Sequence, residues 1–188
     1  TEVSHDLTKG AIKESKDSAK TVAYDYGCEV QTEINSILFE LRVLSHAFST
    51  YPNIPKSEAK VFFKSSLQKS ASENPRYSSV WDSWEYRFLD KNYTKKFGRV
   101  INSFFREGGQ ILYARDSINF EGDDTASMYY SVKTTNKEFI TEPYFYKLGN
   151  NVVLMASLGV PLNINNEFAG IVGVDIALEK FVGMIDSI

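Results

Sequence analysis

The feature that most constrains this chain is a long stretch of helical periodicity at its start. From Leu7 through Val22, Val30, Ile37 and Leu41 to Phe48, apolar residues recur at three- and four-residue intervals with no proline between them. At about 1.5 Å per residue such a helix is ~63 Å long, roughly twice the diameter of a small domain, so part of it must overhang. Its first third carries Lys9, Lys13, Lys16 and Lys20 and only a thin apolar stripe, whereas Ile34 to Phe48 is rich enough to lie on a core. The pattern predicts a stalk that becomes a core helix and pairs with the same helix of a second copy. Gly27 lies inside it and marks either a bend or a close contact. Pro52 and Pro55 end the element.

The rest of the chain alternates differently. Ser57 is placed to cap a short helix through Ala59, Phe63 and Leu67 that ends before Pro75. Strand patterns follow at Tyr77 to Phe88, Val100 to Phe105 and Gln110 to Arg115, and a short helix is expected at Met128 to Thr135. Three further strands, Phe139 to Tyr146, Val152 to Leu162 and Phe168 to Ile176, are separated by turns short enough to make them antiparallel neighbours. A last amphipathic stretch, Leu178 to Ile188, reads as a helix leaving the sheet. The expected fold class is therefore α+β, with an antiparallel sheet of about five strands behind a long N-terminal helix. The expected division is residues 1–52 for the stalk and core helix, 53–178 for the sheet module, and 179–188 for a C-terminal linker helix.

Composition narrows the function. The chain has 188 residues, 43% of them hydrophobic, enough for one core. With 21 basic and 24 acidic residues it has no field for a polyanion, and the basic excess between Lys56 and Arg106 is interspersed like solvated surface. No nucleic-acid partner is expected. No apolar run approaches the ~18 residues of a membrane span. The start at Thr1 without a leader suggests an excised segment or a mature product. Cys28 is the only cysteine, so neither an internal disulfide nor a thiolate metal cluster can form.

Catalytic constellations are missing. His5 and His46 are far apart on one predicted helix, and Cys28 is ~27 Å from His46 along it, so no metal pair or Cys/His dyad is available. No phosphate loop, nucleophile elbow or zincin motif occurs. Neither an enzyme nor a cofactor is expected. One charge stands out: Asp175 interrupts the apolar run from Phe168 to Ala177 and shares a face with Ala169, Ile171, Gly173 and Ala177. It is either the floor of a pocket above small neighbours or a cap for the helix that follows. Tyr129, Tyr130, Tyr144 and Tyr146 cluster in sequence around the short helix and the Glu142-Pro143 turn, as pocket walls or as core.

The order of segments is familiar. Met128-Tyr129-Tyr130, then Ile140-Thr-Glu-Pro-Tyr144, then Val153-Leu-Met-Ala-Ser157 with Val160-Pro161, and finally Phe168-Ala-Gly-Ile-Val-Gly-Val-Asp175-Ile together resemble the Cache family. These are PAS-like extracytoplasmic sensor modules of bacterial chemoreceptors and sensor kinases, and the pattern is most like the membrane-distal half of double-Cache domains. The resemblance covers Val80 to Ile185. It implies a small-molecule-sensing domain whose terminal helices signal across a membrane, with the spans outside this sequence. The alternative is a ligand-free module of the same fold that recognises a partner or binding protein. In amino-acid-sensing members an Arg-x-Trp-Tyr element holds the carboxylate, and a later Tyr with the final Asp holds the amine. By position Tyr129, Tyr144 and Asp175 match, while Ala126 and Met128 replace the Arg and Trp. Without that bidentate clamp an amine or small polar molecule is favoured over a simple amino acid. The candidate ligand-binding residues are Met128, Tyr129, Tyr144, Tyr146 and Asp175.

Overall fold

The computed structural model describes residues 2–122 and 127–180. Helix α1 (Glu2–Ser49) is followed by a single 3-10 turn (Tyr51–Asn53) and helix α2 (Lys56–Glu73). The chain divides into two units after Ser36. In the first, α1 continues through Gly27 unbroken, and nothing lies within 4 Å of the position a Cβ would take there, so the close contact expected at that glycine is not made.

The second unit is built on a sheet. Strand β1 (Ser79–Glu85) leads into a one-turn helix α3 (Tyr86–Leu89), then β2 (Arg99–Glu107), β3 (Gln110–Ile118), α4 (Ser127–Thr135), β4 (Phe139–Ile140), β5 (Tyr144–Leu148), β6 (Asn151–Ile164) and β7 (Glu167–Ala177). The strand order is β3-β2-β1-β7-β6-β4, with β5 also paired to β6, and every pairing is antiparallel. This is the expected α+β layer fold, with seven strands in place of about five.

Two differences have local causes. The strand expected from Tyr77 to Phe88 stops at Glu85 and turns into α3. The strand expected from Phe139 to Tyr146 is split, because Pro143 has no N–H for the ladder and Thr141 instead takes its bonds from Ser157: its amide donates to the Ser157 carbonyl (2.9 Å) and its hydroxyl accepts the Ser157 amide (2.9 Å). The α2 helix begins at Lys56 rather than after a Ser57 cap. Residues 178–180 are helical, and the remainder of the expected C-terminal helix lies outside the described residues.

Strand β7 is buried from Phe168 to Ala177 because it is central and covered on both faces, which is why it reads as an apolar run rather than an alternation. It is joined to β6 by Asn165 and Asn166, both at positive φ (51° and 65°), the conformation a two-residue hairpin of the sheet's twist requires. On the back face Val80, Trp84, Val172 and Val174 of β1 and β7 form core with the end of α1 and with α2. Trp84 stacks on Phe63 at 5.0 Å, and Phe63 lies 4.5 Å from Phe48, which is fully buried. Burying a side chain such as Phe48 is worth about 1.5–3 kcal/mol. The Ser45 hydroxyl donates to the Pro161 carbonyl (2.9 Å), fixing this end of α1 to β6.

Candidate functional site

The front face of the sheet carries the polar residues. Register places Ser79, Asp175 and Ser157 side by side on β1, β7 and β6. Asp175 is 8% exposed, and three side chains donate to it: Ser79 to Oδ2, Ser157 to Oδ1, and the Trp81 indole N–H to Oδ1 at 3.1 Å. All three are neutral. Burial pushes the Asp175 carboxyl above the ordinary carboxylate range, against the downward pull of Ser157, Ser79 and Trp81. Because Ser157 spends its one proton on Asp175, Tyr144 must donate to Ser157, and their oxygens lie 2.6 Å apart. A chain of hydroxyls thus runs from Tyr144, 36% exposed, to the buried carboxylate. Burial and then the Asp175 charge push the Tyr144 phenol up to about 12. The Tyr146 ring stands edge-on to Tyr144 at 6.2 Å.

One row further along, Trp81 lies opposite Gly173, which faces Gly159, and Gly159 faces Phe139. A methyl group at Gly173 would overlap the Trp81 indole, and one at Gly159 would overlap Phe139. The glycines therefore let two rings lie flat on the sheet. The volume that small neighbours were expected to leave above Gly173 is occupied by Trp81.

Tyr129 sits elsewhere. It is 2% exposed, packed with Val132, Phe168 and Ile171, and its hydroxyl donates to Glu85 at the far end of β1. Glu85 is six residues from Ser79, about 20 Å along the strand. The same carboxylate accepts from Lys133 (2.8 Å), and the Arg99 guanidinium lies 4.4 Å over the Tyr129 ring. Burial, and after it the charge of Glu85, raises the Tyr129 phenol far above its ordinary value. Met128 precedes it on α4 and is partly exposed. The structure thus brings Tyr144, Tyr146 and Asp175 together and holds Tyr129 apart, with Trp81 packed against the Tyr129 cluster while bonded to Asp175. The capping role considered for Asp175 is replaced by these cross-strand bonds.

Sequence reasoning missed Ser79, Trp81 and Ser157 as partners of Asp175. Ser157 is a hydroxyl inside an otherwise apolar stretch of β6, which was the one available signal; which strand it faces is a matter of register.

A seven-stranded antiparallel sheet with helices on its back and a polar node on its front defines a PAS-like sensor domain. The profile of methyl-accepting chemotaxis protein-like first PDC sensor domains matches residues 63–182, and the chain belongs to this family. Among curated proteins none matches. Several solved structures share the fold. The extracellular domain of a protein assigned as histidine kinase mmHK1S-Z3 is 24% identical, with a TM-score of 0.64 over 85% of this chain and 58% of its own. The periplasmic sensory domain of the Campylobacter jejuni chemoreceptor Tlp1 is 11% identical (TM-score 0.61, 85% and 59%). The ligand-binding domain of Campylobacter jejuni Tlp3, solved with L-valine, is 12% identical (TM-score 0.59, 87% and 60%). The chain thus spans less than two thirds of the length of these neighbours. No helix among the described residues is long and apolar enough to cross a membrane.

Proposed function

We propose that this chain is the extracytoplasmic, non-enzymatic ligand-sensing part of a membrane receptor, a chemoreceptor or a sensor histidine kinase, and that it binds a small amine or polar metabolite at the Asp175 node. The observation that carries this reading is a buried carboxylate whose bonded partners are all neutral, joined through Ser157 to a half-exposed tyrosine. A cationic group is the complement such a carboxylate lacks. Trp81 is bonded to Asp175 and packed against the Tyr129 cluster, so displacing its indole would open room beside Asp175 and Tyr144. Transmission has a physical link: Arg42 of α1 makes a bidentate pair with Glu138 (3.0 and 2.8 Å), on the connection leading to β4 and Tyr144.

The test is a thermal-shift screen with amines, amino acids, carboxylates and sugars. A ligand at about 100 times its Kd adds ~2.7 kcal/mol of stability. Asp175→Asn is expected to weaken an amine by about 1.5–3 kcal/mol, the range of a hydrogen bond to a charged group, and to leave the fold intact. Unchanged affinity in that variant would refute the site. A second reading, a ligand-free module that recognises a partner protein, is favoured by the indole filling the space over Gly173; a screen in which no compound stabilises the domain would support it.

A further inference from the structure

The opposite face of the sheet holds a second buried aspartate. Asp82 points to the back of β1, is 1% exposed, and pairs across the strands with Asn102, which in turn pairs with Arg115. Its Oδ1 accepts from the Asn102 amide side chain (2.7 Å), and Asn102 is held in that orientation by the Tyr113 hydroxyl donating to its oxygen (3.0 Å). Its Oδ2 is buried and makes no well-formed hydrogen bond, and the Trp84 side chain on the same face favours the ionised form by hydrogen bonding to the carboxylate. Arg115 lowers its pKa through space without pairing to it.

Asp82 is among the residues lining a cavity of about 340 Å³ between α2 and the β1-β2-β3 side of the sheet, at the small end of ligand pockets, with Oδ2 itself sealed beneath the lining. Trp84, Phe63 and Tyr113 line it with aromatic surface, and Lys60, Lys64 and Arg115 stand exposed at its mouth. Lys60 and Lys64 are one helical turn apart, and the Lys64 ammonium sits 3.9 Å over the Tyr113 ring. The cavity therefore has a buried carboxylate just beneath its floor, aromatic walls and cations at its rim.

We propose that this back-face cavity is a second ligand site, distinct from the Asp175 node, for a small aminocarboxylate whose ammonium draws the lining aside to reach the Asp82 carboxylate and whose carboxylate meets the Lys60, Lys64 and Arg115 rim. An ammonium fits the floor better than a hydroxyl because its bond to a carboxylate is charge-assisted. A carboxylate fits a rim of three cations with no acid among them.

The chain has two tryptophans, and each reports one face: Trp81 bonds Asp175, and Trp84 lines the back cavity. The indole N–H resonances, assigned with Trp81→Phe, are followed by NMR during titration with glycine, β-alanine, γ-aminobutyrate and ε-aminocaproate, and with butylamine and butyrate as single-ended controls. Titration runs to about 10 mM, well above the ~1 mM Kd that a few polar contacts provide. At least one aminocarboxylate is expected to shift Trp84 saturably, more tightly than either control, and Asp82→Asn is expected to weaken it about tenfold or more. Lys64→Ala with Arg115→Ala, at exposed positions, is expected to weaken it to the level of butylamine. The proposal is overturned if Trp84 stays still with every probe, or if its shift survives both the floor and the rim variants. A shift of Trp81 alone supports the front site and refutes this one.

Discussion

Asp82 and Asp175 show how one residue type acquires different chemistry from its surroundings. Both are buried and both have raised pKa values, but Asp175 is surrounded by three donors while Asp82 keeps an oxygen without a well-formed hydrogen bond, and its carboxyl is lifted to about 6 from an ordinary 3.8. A carboxyl whose folded pKa lies above its unfolded one binds more protons folded than unfolded between those values, so stability falls as pH rises through that window. At about 1.36 kcal/mol per pKa unit the Asp82 penalty at neutral pH is on the order of 2–3 kcal/mol. Asp82→Asn is therefore expected to be more stable than the parent at pH near 7, with the advantage shrinking toward pH near 4. Thermal unfolding of both proteins across that range checks it; an offset independent of pH would show that burial of the charge is not the cause. Of the two, Asp175 was visible in the sequence because it interrupts an apolar run. Asp82 was not, because it sits between Trp81 and Ser83 in a strand that looks amphipathic, and only the addition of α2 on the back face buries it.

At the scale of elements, α4 is held to β1 by two polar contacts to one carboxylate, set beside an apolar contact. Tyr129 packs on Phe168 at 5.7 Å while its hydroxyl meets Glu85, which also accepts from Lys133. Tyr129→Phe keeps the ring and removes the bond to the carboxylate. Because Lys133 remains on Glu85, the expected loss is about 1–2 kcal/mol, at or below the lower half of what a bond to a charged group contributes. A lower urea midpoint at unchanged slope would confirm this; a midpoint equal to the parent's would mean that the Tyr129 hydroxyl adds nothing beyond the packing and the Lys133 pair. The α2, α4, β6 and β7 elements were legible from periodicity and turn residues, since their apolar residues face one continuous core. The break between β4 and β5 was not, because Pro143 sits in a stretch of good strand formers, and the Thr141 bonds to Ser157 that replace the ladder depend on which strand lies alongside. The seating of Trp81 on Gly173 and of Phe139 on Gly159 likewise follows from register. Each glycine alone reads as a weak spot in a strand, and only the register sets Gly173 under the Trp81 indole and Gly159 under the Phe139 ring.

For the whole molecule, the unresolved relation is between one copy of the chain and the next. Helix α1 is 48 residues long, and in the sheet-bearing unit its outer face leaves Phe39 65% and Val43 52% exposed, four residues apart on one side of the helix. Neither residue is needed for the core, which α1 reaches through Ile37, Leu41 and Phe48. Ile12 and Val22 are also exposed, and so is Cys28. Exposed apolar side chains such as Phe39 and Val43 are the raw material of a helix–helix seam, and a receptor that signals through its terminal helices would use such a seam in pairs. The isolated chain is expected to dimerise weakly, because a shared membrane supplies an effective concentration that solution does not. Sedimentation velocity at increasing concentration should show the shift toward dimer, and Phe39→Glu with Val43→Glu should abolish it by placing like charges in the seam. Mild oxidation gives an independent readout: parallel pairing brings Cys28 of the two copies together, so a disulfide-linked dimer should accumulate in the parent and fall in the double variant. A chain that stays monomeric at every concentration and yields no Cys28-linked dimer would show that this helix does not form the contact between copies.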